Sequence, residues 1–147
     1  MTVRYYEDLA VGQTFGSGSL RMDKERIKAF AAEFDPQPFH LDEDAARRSI
    51  FGGLAASGWH TAALTMRLWF ESDFKPAGGL IGAGVDELRW PRPVRPGDEL
   101  RIQCEILEMR PSKSRPEQGL VKLKMTTLNQ DRAPVQFLIV NLVVLRR

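Results

Sequence analysis

The segment Ser57–Phe70 reads SGWHTAALTMRLWF, and it is the helical candidate on which the fold depends. Ser57 is a favourable N-cap, because its side chain can accept a hydrogen bond from a free backbone N–H of the first turn. Bulky apolar side chains then cover a broad arc, which is typical of a helix buried on most of its surface. We therefore predict a largely buried helix over these residues.

The chain after Gly84 changes to a period of two, which is typical of β-strands. Glu99–Ile106 alternates polar with apolar side chains, and Val121–Met125 alternates apolar residues with lysines. Each pattern predicts a strand with one face in the core and the other in water. A further strand is expected over Val85–Trp90. The last strand, Val135–Leu145, is apolar on both faces, so it should lie centrally in a sheet or pack against a partner.

The residues before the central helix predict a short strand and two helices. The strand is expected around Thr14–Met22. The first helix is capped by Asp23 and is stopped by Pro36 and Pro38. One of its faces carries four apolar side chains, Ile27, Phe30, Ala31 and Phe34. A shorter helix is expected over Glu43–Arg48.

This order of elements predicts an α+β protein in which an antiparallel sheet wraps around one buried helix. The chain of 147 residues has the size of one domain, and we see no repeat or linker, so residues 1–147 are expected to form a single domain. No helices of this chain are available to cover the other face of the sheet. We therefore expect a homo-oligomer.

Composition excludes several classes of protein. Hydrophobic residues make up 43% and charged residues 27%, which is ordinary for a globular domain. Cys104 is the only cysteine, so the chain has no intramolecular disulfide and no cysteine set for zinc, and a cytoplasmic location is expected. The segment Met1–Ala10 has no apolar core and predicts no signal peptide. Phe137–Leu145 is too short to span a membrane as a helix.

Charge also limits the class of partner. The formal net charge is only +2, which gives little support for nucleic-acid binding. The charge is uneven, however: residues 1–75 carry a net −2 and residues 76–147 a net +4. The basic half could therefore meet a small anionic ligand.

The segment 34–42, FDPQPFHLD, places a carboxylate and an imidazole on either side of two prolines. Proline fixes φ, so we expect a stiff loop that holds Asp35 and His40 around one water molecule. The imidazole of histidine exchanges protons near neutral pH. The alternative is structural: Asp35 could cap the end of a helix, and His40 could be a surface residue.

Gly58 at the start of the buried helix is the second candidate for chemistry. Without a side chain it allows a ligand to approach the backbone, where free N–H groups and the helix dipole can stabilise an oxyanion. The alternative is that Gly58 only relieves crowding where the chain enters the helix.

Taken together, these stretches resemble the MaoC-like dehydratase family, which includes the (R)-specific enoyl-CoA hydratases. The resemblance extends from about residue 5 to about residue 145. It is carried by Asp35-x-Gln37-Pro38-x-His40-x-Asp42, by Ser57-Gly58, by Arg92-Pro93-Val94-Arg95-Pro96-Gly97-Asp98-Glu99-Leu100, and by Ser112-Lys113-Ser114-Arg115-Pro116 with Gly119.

The resemblance implies the hot-dog fold, a long helix wrapped by an antiparallel sheet and paired into a dimer or a larger homo-oligomer. It implies a trans-2-enoyl-CoA substrate to which water is added reversibly, giving a 3-hydroxyacyl-CoA. Asp35 and His40 would activate the water, and the N–H of Gly58 would form the oxyanion hole. Coenzyme A would be part of the substrate, and no metal or redox cofactor would be needed.

Other residues are expected to assist at this site. We expect Gln37, Ser57 and Trp59 to contact the substrate. The family pattern has Asn at the position of Gln37, and it has Gly where this chain has Phe34 before Asp35. We expect these two differences to affect the substrate subclass more than the chemistry. A role in packing or helix capping is favoured for His60.

The loop after the strand predicted over Glu99–Ile106 carries a group of cations, Arg110, Lys113 and Arg115. Lys113 and Arg115 are candidates for binding the phosphates of coenzyme A. The alternative is a solvated loop.

Two other functions stay open at this stage. A hot-dog acyl-CoA thioesterase would usually carry a carboxylate on the central helix, and Ser57–Phe70 contains neither Asp nor Glu. A non-catalytic acyl-CoA-binding subunit would keep Asp35 and His40 only as relics.

Overall fold

The computed structural model of the chain describes residues 2–147. Met1 lies outside the described residues. It is the first residue of the segment Met1–Ala10, for which we expect no signal peptide. Across residues 2–147, no helix is both long enough and apolar enough to cross a membrane.

Within the described part of the chain, four helices and six strands follow a short 3-10 turn at Tyr6–Asp8. The helices are α1 (Lys24–Phe34), α2 (Pro38–Leu41), α3 (Glu43–Arg47) and α4 (Gly58–Glu71). The strands are β1 (Thr14–Gly16), β2 (Leu20–Arg21), β3 (Ile81–Arg89), β4 (Glu99–Pro111), β5 (Gln118–Leu128) and β6 (Pro134–Leu145).

The two longest helices begin at the capping residues that the sequence predicts. The side chain of Asp23 accepts a hydrogen bond from the backbone N–H of Arg26 at 2.8 Å, and that of Ser57 accepts one from Trp59 at 3.3 Å. Helix α2 differs from the stiff loop that we expected at this position. Proline suits the first position of a helix, because its φ angle already has the helical value. The N–H that proline lacks is not used in the first turn, so Pro38 starts a helical turn.

The strands form one antiparallel sheet in the order β1-β4-β5-β6-β3, with β2 also paired to β4. The strand expected around Thr14–Met22 is divided in two, because Ser17–Ser19 leaves the sheet between β1 and β2. Strand β6 lies between β5 and β3, which confirms the interior position that its two apolar faces predict.

The core lies between α4 and the inner face of the sheet. The alternation expected for β4 is confirmed, since Leu100, Ile102, Cys104 and Ile106 are buried and Arg101, Gln103 and Glu105 are exposed. The side chains that α4 packs toward the sheet are Thr61, Thr65, Leu68 and Trp69. A sheet wrapped around a central helix is the hot-dog arrangement, so the expected α+β fold is confirmed.

The expected burial of most of the α4 surface is wrong for the single chain. Trp59, Met66 and Phe70 are 60%, 43% and 60% exposed. The sheet covers only one side of the helix, and none of the described residues covers the opposite side. Trp59 on this exposed surface packs on Trp90, the residue that follows β3, and β3 is an edge strand paired only with β6 among the described strands.

The outer face of the sheet is polar where β5, β6 and β3 meet. Lys122 lies 3.0 Å from a carboxylate oxygen of Asp86, and the side-chain amide of Asn141 donates to the other oxygen at 3.0 Å. These contacts let the outer face remain in water, although no helix covers it.

Candidate active site

The end of α1 and the single turn of α2 place the two residues that the sequence predicts as an acid–base pair. Asp35 is the C-cap of α1, and His40 lies one turn into α2. Nε2 of His40 is 3.3 Å from Oδ2 of Asp35, and the two side chains are only 6% and 18% exposed. The expected pair therefore forms, and it is shielded from bulk water.

The other ring nitrogen of His40 determines what this pair can do. Nδ1 lies 2.6 Å from the carbonyl oxygen of Ala55, which can only accept a hydrogen bond, so Nδ1 carries a proton. A neutral His40 then presents the lone pair of Nε2 toward the carboxylate of Asp35. Two acceptors at this distance can share a proton, or both can accept hydrogen bonds from one water molecule.

The carboxylate of Asp35 is stabilised in its charged form. Burial raises its pKa, but the hydrogen bonds from Gln37 and Ser57 and the nearby charge of protonated His40 lower it by more. The pKa of Asp35 is therefore below its usual value. The amide of Gln37 donates to Oδ1 at 2.5 Å, which leaves Oδ2 facing His40. Asp35 is thus an ionised proton acceptor at neutral pH.

The first turn of α4 supplies the second part of the site. Ser57 is fully buried beneath the helix start, whereas Gly58 is half-buried. Within residues 2–147, the N–H of Gly58 has no hydrogen-bond acceptor, as expected for the first residue of a helix. A Cβ on Gly58 would lie 2.5 Å from Cε2 of Trp90. Gly58 is therefore both an available donor and a position where a side chain would collide with its neighbour.

A cavity of about 600 Å³, which we call the cleft, joins these parts. Its walls are α2, the loop around Phe51, the start of α4 and the segment 90–95. The lining residues include Gln37, His40, Phe51, Gly58, Thr61, Trp90, Arg92 and Arg95. The cleft thus brings His40 and the Gly58 N–H to one space.

The expected substrate-contacting residues divide into three cases. Gln37 lines the cleft and binds Asp35. Ser57 lies beneath it and supports Asp35 and the helix start. Trp59 is exposed and packs edge-to-face on Trp90, with ring centroids 5.2 Å apart. It therefore contacts a residue of the cleft wall and does not itself line the cleft.

The sequence reasoning did not identify Trp90 and Arg95 as site residues. Both lie within or next to the stretch 92–100 that the sequence marks as the entry to β4. The guanidinium of Arg95 donates to the carbonyl oxygen of Gly53 at 2.8 Å, to that of Leu54 at 3.3 Å, and to that of Phe51. Arg95 therefore fixes the loop that forms one wall of the cleft.

Lys113 and Arg115 are not brought to the cleft of their own chain. They lie in the hairpin between β4 and β5, next to Gln118, which pairs with Leu145. The cleft lies at the other end of β5, where Thr127 pairs with Gln136.

His60 also lies apart from the acid–base pair. Its ring stacks on Phe30 with centroids 4.6 Å apart, and burial lowers its pKa. This packing is the structural role that the sequence favours. Across residues 2–147, no group of three or more His, Cys, Asp or Glu side chains is arranged to hold a metal ion.

Known proteins resemble the chain over almost all of its length. A crystal structure of a MaoC-like dehydratase from Rhodospirillum rubrum is 57% identical, with a TM-score of 0.94 and 98% of each chain covered. The structure of the (R)-hydratase from A. caviae is 27% identical, with a TM-score of 0.72, and the match covers 96% of this chain and 99% of that one.

Two curated relatives agree. The uncharacterized protein YdeM of Bacillus subtilis is 35% identical over 129 residues, which are 88% of this chain and 90% of YdeM. The 3-hydroxybutyryl-CoA dehydratase of Methylorubrum extorquens is 30% identical over 115 residues, which are 78% of this chain and 71% of that protein. The family model described as MaoC like domain matches residues 8–129. The chain therefore belongs to the MaoC-like dehydratase family.

Proposed function

We propose that the chain is a hydratase that adds water reversibly to a trans-2-enoyl-CoA and forms a 3-hydroxyacyl-CoA. The observation that carries this proposal is that His40 and the free N–H of Gly58 line one cleft, and that Asp35 lies 3.3 Å from Nε2 of this His40. A base, a proton relay and an oxyanion donor are the groups that addition of water to a conjugated thioester requires.

The reaction begins with a water molecule that donates hydrogen bonds to Oδ2 of Asp35 and Nε2 of His40. Its oxygen forms a bond to the β-carbon as the C=C π bond breaks, and its proton passes to the pair. The negative charge moves to the thioester oxygen, where the N–H of Gly58 stabilises it. The pair then returns a proton to the α-carbon. Water is added without a change in oxidation state, so the step needs no electron acceptor.

The thioester in this proposal is one of coenzyme A, which is part of the substrate. The 3-hydroxybutyryl-CoA dehydratase among the relatives supports this class, and the (R)-hydratase among the similar structures supports the reaction. Arg92 is exposed on the lining of the cleft and offers a cation for the anionic half of the substrate. Lys113 and Arg115 could act on this ligand only from a second chain, because they lie at the opposite end of their own.

We also propose that the working form is a homodimer in the cytoplasm. Helix α4 exposes the apolar residues Trp59, Met66 and Phe70, and the edge strand β3 exposes Ile81 and Val85. An open edge with apolar neighbours is suited to pairing with a second copy. The cytoplasmic location rests on the single cysteine, Cys104, which leaves the chain without an internal disulfide.

The test follows the loss of enoyl-thioester absorbance with the purified chain and a panel of trans-2-enoyl-CoA substrates. We expect turnover of at least one substrate, and a loss of about 10²-fold or more in kcat for Asp35→Asn and for His40→Gln. The matched control is Asp44→Asn, which changes an exposed carboxylate on α3 and should keep wild-type activity.

Four outcomes would overturn the proposal. The first is that no substrate in the panel is hydrated, and the second is that Asp35→Asn is as fast as wild type. Release of free thiol from acyl-CoA would indicate a thioesterase instead. The structure disfavours that reaction, because the only carboxylate on α4, Glu71, lies at the end remote from Gly58 and is paired with Arg67. Tight binding without turnover would indicate a non-catalytic subunit.

A further inference from the structure

Trp90, the residue that follows β3, forms the wall of the cleft nearest to Gly58. A Cβ placed on Gly58 would lie 2.5–2.8 Å from three atoms of the indole, so the ring packs directly on the backbone of the helix start. The same indole lines the cleft that His40 reaches from the opposite wall. A substrate whose thioester oxygen is held by Gly58 therefore has this ring beside it.

A chain of hydrogen bonds holds the indole in place. Nε1 of Trp90 donates to the side-chain oxygen of Gln136 at 2.9 Å, and the amide of Gln136 donates to the hydroxyl of Thr65 at 3.1 Å. The hydroxyls of Thr65 and Thr127 are 2.6 Å apart. Gln136, Thr65 and Thr127 are all buried, so each contact replaces water and would be costly to lose.

These hydrogen bonds determine which atoms of Trp90 face the cleft. Since Nε1 is occupied by Gln136, the indole offers only carbon atoms to the cleft. Thr65 lies one turn beyond Thr61 on the same face of α4, so the hydrogen-bonded side chains lie next to the inner end of the cleft. An apolar group that followed the helix past Thr61 would meet side chains already bonded to one another.

The two ends of the cleft differ in exposure. Ile50, which is 99% exposed, and the exposed Arg92 lie at its mouth, whereas Ala56 and Thr61 are buried at its inner end; Trp90, which is 41% exposed, packs on Gly58. The polar and bulky half of a coenzyme A thioester fits only the mouth. The acyl group is then directed to the inner end.

We infer that Trp90, anchored by Gln136, is a specificity-determining residue that limits the acyl group to a short chain. This inference rests on the proposed function, because it defines the acyl end of the same site. The indole and the buried chain of hydrogen bonds occupy the space that the distal carbons of a longer acyl group would need.

The test compares kcat/KM for crotonyl-, hexenoyl-, octenoyl- and decenoyl-CoA in wild type and variants. We expect wild type to favour crotonyl- or hexenoyl-CoA. Trp90→Ala should raise the ratio of kcat/KM for octenoyl-CoA to that for crotonyl-CoA by about tenfold or more, since each newly buried methylene is worth about fourfold. A ratio cancels any general loss of active protein, so it separates specificity from stability.

Gln136→Leu keeps a side chain of similar size but removes the anchor of the indole. We expect the same ratio to move in the same direction, by less than in Trp90→Ala. The matched control is Phe137→Ala, because Phe137 points to the opposite face of β6, where Lys124 lies 5.7 Å from its ring centroid. This control should leave the ratio unchanged.

Binding of butyryl-CoA and octanoyl-CoA, measured by calorimetry, separates this inference from the proposed function. If no enoyl-CoA is hydrated, the hydratase proposal fails. A gain in octanoyl-CoA affinity in Trp90→Ala would still support the inference that Trp90 limits the length of the acyl group. A length profile that is the same in wild type and Trp90→Ala, in turnover and in binding, would overturn the inference. So would a wild type that prefers decenoyl-CoA.

Discussion

Nδ1 of His40 lies 2.6 Å from the carbonyl oxygen of Ala55, in the segment that leads into the central helix. This contact fixes the ring and places the lone pair of Nε2 toward Asp35. Because Ala55 is two residues before Ser57, the same short segment orients the imidazole and begins the helix whose first N–H is the proposed oxyanion donor. The proposed base and the proposed oxyanion donor are therefore held in one geometry by one stretch of backbone.

The pH dependence of turnover should report the surroundings of Asp35. Its pKa is lowered by hydrogen bonds that include the one from Gln37, and the carboxylate must be ionised to accept a proton. In Gln37→Leu that stabilisation is lost, so the pKa of Asp35 rises. The acid limb of kcat/KM against pH should then lie at higher pH than in wild type.

Gln103→Leu, on the exposed outer face of β4, is the control for this measurement and should leave the acid limb in place. An acid limb that stays put or moves to lower pH in Gln37→Leu would show that Gln37 does not stabilise the carboxylate.

The contact between Gly58 and Trp90 predicts a coupled pair of substitutions. Gly58→Ala should lower the free energy of unfolding by about 1–3 kcal/mol, because the added methyl group collides with the indole. In the double variant Gly58→Ala/Trp90→Ala the collision is absent. The cost of Gly58→Ala should therefore be smaller in that background by about 1 kcal/mol or more, as measured by urea unfolding.

Gly16→Ala provides the comparison, since a Cβ there would have only one neighbour, at 3.8 Å. Its effect should stay within about 0.5 kcal/mol. Strict additivity of the Gly58 and Trp90 substitutions would contradict the packing described here.

Arg95 should matter for both stability and substrate binding. Its guanidinium serves three carbonyl oxygens of the segment 51–54, so Arg95→Met should lower the free energy of unfolding by about 1–3 kcal/mol. KM should rise by more than kcat falls, because the segment forms a wall of the cleft. Arg95→Lys should recover only part of the loss, since an ammonium lacks the planar fork.

Arg92→Met serves as the stability control, because Arg92 is exposed on the same segment and should change the free energy of unfolding by less than about 0.5 kcal/mol. Equal destabilisation by the two substitutions would show that the carbonyl contacts of Arg95 are not what stabilises the segment.

Oligomeric state should depend on the open edge at β3. We expect light scattering to give twice the chain mass of 16.6 kDa for wild type. Val85→Lys places a charge on the inward face of that edge, where Val85 pairs with Val140, and should shift the protein toward monomer. Glu87→Gln, on the other face of β3, should not. A monomeric wild type at assay concentrations would contradict the dimer.

Local features of the fold could be predicted closely. Asp23 and Ser57 cap the helices that their spacing predicts, and the alternation at Leu100 and Ile102 gave the correct buried face of β4. Capping and strand alternation depend on neighbours a few residues away, so the sequence carries them directly. One local error was α2, because Pro38 was taken as a helix breaker although it also favours the first position of a helix.

The sequence by itself determined the helix starts, the strand faces and the Asp35/His40 pair. The two residues of this pair are five positions apart, so a helix end and a single turn suffice to bring them together. Only the tertiary structure decided that Trp90 rests on Gly58, that Gln136 anchors it, and that Arg95 holds the segment 51–54. These contacts join residues 32 to 46 positions apart in the chain. Neither side-chain period nor capping encodes such pairs, because they depend on how the packed sheet brings distant segments together.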